Sequence, residues 1–150
     1  MTTLKDFEHY KQKNIVYKIR PDKNKAQNLQ NKARIQKTFL QETQKHIPNL
    51  DRYNHIIVEL TYSSLIKLAR SHLYLKGYKT KGEGSHQAQI AFLELEGISK
   101  KHMNNLNQLR KIRNKIKYTE KHANHTTTEV ITQFKQIYKT LNQNLTQQLT

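Results

Sequence analysis

The sequence predicts an all-α domain, an up-and-down bundle of four to five helices behind a short N-terminal arm. Three observations carry that prediction. The 150 residues include only four Gly and two Pro, too little turn-making material for an all-β fold. Between those breakers run long stretches with apolar residues three and four apart, the period of an amphipathic helix. An apolar content of 35% is low, yet it suffices where each helix buries one stripe. A chain of this length fits one domain with its own core, with residues 1–20 read as the arm and 21–150 as the bundle.

The elements follow in order. Leu4, Phe7 and Tyr10 have helical spacing, and Ile15-Val16-Tyr17-Lys18-Ile19 reads as extended. Pro21 pushes Arg20 towards extended geometry, and Asp22 is suited to cap the helix that follows; the arm is expected to pack loosely. A first long helix is expected over 22–46. Its stripe of Ala26, Leu29, Ala33, Gln36/Lys37 and Leu40 is thin, thickened by Ile35 and Phe39, and Pro48 ends it. A second, over 50–76, carries the broadest apolar face (Ile56, Ile57, Leu60, Leu65, Leu68, Ala69, Leu75) and so is expected at the centre, with Gly77 as its stop. Residues 78–84 read as a loop, and Ser85 as the N-cap of a helix running to Gly97. A fourth helix covers about 100–120 and a turn follows. Thr126–Thr128 with Glu129 resembles a capping box, opening a last helix with the stripe Val130, Phe134, Ile137, Leu141 and Leu145. The Gln/Asn-rich tail after 142 is expected to fray.

Charge is the strongest global signal. A formal net charge of +16 favours a polyanionic partner, nucleic acid above all, over a merely solvated basic surface. There is no Cys, which excludes disulfides, thiolate nucleophiles and Cys-type zinc sites. Met1–Asp6 lacks an apolar signal core, and no apolar run approaches the ~18 residues of a membrane span. A cytoplasmic protein without membrane contact is the expectation.

Few residue constellations carry chemistry. His122 and His125 lie three apart with no further ligands near them, so no metal or cofactor is expected. Glu94 and Glu96 face different directions on a helix and make a poor acid/base pair. Gly82-Glu83-Gly84 lacks the Gly-Lys-Ser/Thr ending of a P-loop; it precedes a helix N-terminus that can receive an anion, but also suits a plain connecting loop. The informative stretch is Leu109-Arg110-Lys111-Ile112-Arg113-Asn114-Lys115-Ile116-Lys117-Tyr118. Lys100–Lys121 holds eight Lys/Arg against one acid, Glu120, enough to neutralise several phosphates. Leu109, Ile112 and Ile116 share one helical face; Arg110, Arg113, Asn114, Lys117, Tyr118 and Lys121 occupy the flank and back. Tyr118, nearly opposite the apolar face, is explained either by a covering surface such as a second subunit or stacked base, or as an exposed Tyr on a solvated face.

Arg113-Asn114-Lys115-Ile116-Lys117-Tyr118, following Leu109-Arg110, resembles the signature helix of HEPN domains (higher eukaryotes and prokaryotes nucleotide-binding), and Leu73–His86 resembles the helix–loop–helix of prokaryotic members. The resemblance spans about residues 20–145. It implies a two-fold dimer that binds RNA or a nucleotide, and possible pairing with a nucleotidyltransferase-type antitoxin. In active members an Arg, followed four to six positions later by a His, cuts RNA at the dimer interface without metal. Carried over, Arg113 would hold the phosphate and its developing charge, Asn114 would orient a partner group or the RNA, and Tyr118 stands where the His is expected. Arg110, Lys111, Lys117, Lys121 and His122 are the expected nucleic-acid contacts. An unperturbed Tyr is a poor base near neutrality. A dimeric RNA- or nucleotide-binding module is therefore the first reading, and a metal-independent endoribonuclease of toxin type the alternative.

Overall fold

The computed structural model describes residues 3–119 and 126–150, and only the backbone at 118 and 119. It is an all-α bundle with a short N-terminal arm. The helices are α1 (Phe7–Gln12), α2 (Lys23–His46), α3 (Asn54–Lys76), α4 (Ser85–Phe92), α5 (Lys100–Thr119) and α6 (Thr127–Leu149). One antiparallel ribbon joins β1 (Val16–Lys18) to β2 (Tyr78–Thr80), with Val16 opposite Thr80.

α3 is the central helix, packed by α2, α4, α5 and α6. The thin stripe of α2 works because it is small. Ala26 and Ala33 are fully buried and let α3 approach closely enough for Ser71 Oγ and Ser64 Oγ to donate to their carbonyls at 2.8 and 3.1 Å. Those bonds satisfy two hydroxyls that burial would otherwise penalise. The α6 stripe Val130, Phe134, Ile137, Leu141 and Leu145 is buried throughout, and the capping box of Thr126 and Glu129 is formed. Asp22 caps α2, and Gly77 ends α3 in the left-handed region at φ +83°.

Five expectations need correction. The arm does not pack loosely: Phe7, Tyr10 and Val16 are buried against Leu73, Ala88, Ala91 and Phe92, with Phe7 edge-on to Phe92 at 5.0 Å. The segment read as a loop contributes β2, which pairs with the arm and pins it, a partnership sixty residues away that local pattern does not reveal. Ser85 is not the N-cap but the first residue of α4, its hydroxyl donating to Gly82 O at 2.7 Å, and Gly84 takes the cap position. The tail does not fray: α6 continues to Leu149, Leu145 is fully buried, and Asn144 Nδ2 donates to Glu96 O at 3.0 Å. Finally, Ile35 and Phe39 do not thicken the α2 stripe. Each is 60% exposed, as is Ile56 of α3 at 50%.

Candidate functional site

α5 sets Leu109 in the main core, with Ile112 and Ile116 packed half-buried against it. That orientation fixes where its polar residues go. Arg113 reaches across to α3, where Nε and Nη2 donate to Glu59 at 3.0 and 3.4 Å. Its Nη1 donates to Asn114 Oδ1 at 3.1 Å. The guanidinium lies 5.7 Å from the centre of the Tyr62 ring, within cation–π range.

Tyr62 leads to a histidine that sequence reasoning did not single out. Its hydroxyl meets His86 Nδ1 of α4 at 2.9 Å. Burial pushes the Tyr62 phenol far above its ordinary value, Arg110 and Arg113 opposing, so it stays protonated. Burial, then Arg113, Arg70 and Arg110, hold His86 below its ordinary 6.5, so the imidazole is neutral at pH 7. The buried phenol proton needs an acceptor, and His86 Nδ1 is the one within reach among the described residues. Tyr62 is therefore the donor, and His86 Nε2 carries the imidazole proton. No described residue hydrogen-bonds that N–H, and His86 lines a cleft between α3, β2 and the start of α4.

Arg110, expected on the basic outer face, is turned inward. It is 9% exposed, Nε donates to Asn107 Oδ1 at 2.9 Å, and no described residue accepts from its terminal nitrogens. Arg70 comes from α3. Three guanidiniums (Arg70, Arg110, Arg113) thus act on one Tyr–His pair, and among the described residues Glu59 is the carboxylate that acts on it. Burying cations close together is costly unless anionic charge offsets them. The same crowding reaches the next turn of α3, where burial, then Arg70 and Lys32, lower the Lys67 ammonium below its usual range.

Lys117 is exposed, Lys111 half-buried. Lys117 lines, with Arg113, Ile116, Ile56 and Leu60, a groove of about 650 Å³. Lys121 and His122, and the side chain of Tyr118, lie outside the described residues. Among the described residues no group of three or more His, Asp or Glu is placed to hold a metal ion, and no helix is long and apolar enough to cross a membrane.

Sequence reasoning missed Tyr62, Arg70 and His86. One signal was present: a Tyr on the broad apolar face of the central helix must give its hydroxyl a partner, and such a partner is functional or structural cement. No family model, curated protein or solved structure matches this chain.

Proposed function

We propose that this chain is a HEPN-like homodimeric module that binds RNA through the surface shared by α3, α4 and α5. The observation that carries the proposal is the convergence of Arg70, Arg110 and Arg113 on the Tyr62–His86 pair, where Glu59 is the carboxylate acting among the described residues. A guanidinium presents a planar fork matched to phosphate oxygens, and the His86 Nε2 proton adds a neutral donor beside them. The net charge of +16 supplies the long-range attraction. The second subunit belongs on the groove beside Arg113, where Ile56 leaves an apolar side chain uncovered. A nucleotidyltransferase-type antitoxin and a toxin–antitoxin or defence setting enter with the family resemblance, and a cytoplasmic location with the sequence's lack of an apolar signal core.

One observation favours a second reading, the metal-independent endoribonuclease. The histidine missing at position 118 has a counterpart in space, because His86 stands one tyrosine away from Arg113. Its Nε2–H can donate a hydrogen bond to the charge that develops on the phosphoryl oxygens while Arg113 holds the phosphate.

The test is to incubate the full chain with mixed RNA in EDTA. A mobility shift with intact RNA is the expected result. Cleavage leaving cyclic phosphate ends, abolished in His86→Ala and Arg113→Ala, would establish the nuclease instead. No interaction at low or moderate salt would overturn both readings.

A further inference from the structure

The cleft beside His86 has a volume of about 260 Å³ and lies between α3, β2 and the start of α4. Its lining falls into three zones. Arg70, Lys79 and Lys81 are cationic, and no lining residue is acidic. Leu73, Tyr74 and Tyr78 give apolar and aromatic surface. Gln89 gives a polar group 5% exposed.

Gln89 is the observation that needs a ligand. Its Nε2 donates to Thr80 Oγ1 at 2.8 Å, while Oε1 is buried and has no hydrogen-bond partner. Turning the amide over only exchanges which of its two polar atoms is left unpaired. Buried polar atoms are rarely left so, and this one belongs to a side chain at the wall of an open, cation-rimmed cavity.

From this we infer that the cleft is a base-reading subsite for single-stranded RNA, in which the Gln89 side chain shifts to uncover Oε1 and pairs with the edge of one unstacked base. The base enters past Tyr74 and Tyr78, and its phosphate rests on Arg70 and the His86 Nε2 proton. An amide with one atom committed to Thr80 and one free discriminates between base edges, because a base offering the wrong group leaves both partners unpaired. Single-stranded RNA is where such edges are available for reading. Arg70 and His86 belong both to this cleft and to the arginine centre, so one nucleotide spans the two. The inference takes its ligand from the RNA-binding reading.

The test uses the ¹⁵N-labelled full chain titrated in turn with the four nucleoside 5′-monophosphates, alongside anisotropy titrations of the four labelled homohexanucleotide RNAs. One base is expected to bind at least tenfold more tightly than the weakest (~1.4 kcal/mol), shifting the Gln89 side-chain amide and the backbone amides of Thr80 and His86. The hexanucleotides are expected to rank in the same order. Gln89→Leu, checked for folding by circular dichroism, is expected to reduce that preference below threefold while the salt dependence stays unchanged. Equal binding of all four monophosphates, or shifts confined to α5, would overturn the subsite and leave RNA binding intact. Base selection with no hexanucleotide binding would overturn the assignment to RNA. The labelled native chain decides the matter even where the variant fails to fold.

Discussion

Replacing Glu59 by Gln removes the carboxylate that, among the described residues, acts on the Tyr62–His86 centre, and keeps the side chain's shape. Glu59 holds Arg113 by two contacts, at 3.0 and 3.4 Å. The Glu59 side chain is 53% exposed and that of Arg113 15%, so water screens the pair and its worth is about 0.2–1 kcal/mol. A phosphate that takes Arg113 must displace this carboxylate and approach its charge. Without it, RNA affinity rises roughly 1.5- to 5-fold, since a factor of ten corresponds to about 1.4 kcal/mol. The gain is larger at about 50 mM than at about 200 mM salt, because added ions screen the carboxylate. The assay is fluorescence anisotropy with a labelled single-stranded RNA at both salt concentrations, with thermal unfolding to show that stability falls by no more than about 1 kcal/mol. Weaker RNA binding by folded Glu59→Gln would refute the reasoning, because the ion pair would then support the site rather than compete for it.

Three further outcomes follow from the fold. His72 and His86 are both held below their ordinary 6.5, chiefly by burial. Between the folded value and 6.5 the unfolded chain binds more protons, so stability is full above that window and is lost as pH falls through it. Tm should therefore drop from pH 7 towards about pH 5, and His86→Gln should flatten that drop, as calorimetry would reveal. Leu145→Ala empties a fully buried position in the last turns of α6 and should cost about 2–5 kcal/mol in urea unfolding; a cost near zero would mean that the tail frays after all. Gly77→Ala should cost at least about 1–2 kcal/mol, because φ is +83° and the added Cβ would lie 2.8 Å from Ile19 O; unchanged stability would contradict that backbone.

The helices were readable from sequence because their signals are local: Asp22 and Thr126 as caps, Gly77 as a stop, and the α6 stripe at helical spacing. The ribbon was not, because Val16 and Thr80 meet only after α2 and α3 have folded. Ile35 and Phe39 misled because periodicity locates an apolar face without saying what covers it. At the site, Arg113 and Asn114 could be read from one helix, and they are in mutual contact. Arg110 was read as outward because its helical angle lies off the core stripe, yet α3 and α4 close over it. Tyr62 and His86 are 24 residues apart and become neighbours only through the turn of chain at Gly77–Gly84. That pairing is tertiary, and no single-helix pattern encodes it.

The central claim is that three arginines around Tyr62–His86 neutralise RNA phosphates, and the salt dependence of RNA affinity tests it most directly. For single-stranded RNA each phosphate contact adds about 0.7 to the slope of log affinity against log salt. The Arg70→Ala/Arg113→Ala chain, confirmed to be folded, should therefore show a slope smaller than the native chain's by about 1.4, with weaker binding at every salt concentration. An unchanged slope would place the phosphates elsewhere on this basic surface and contradict the account.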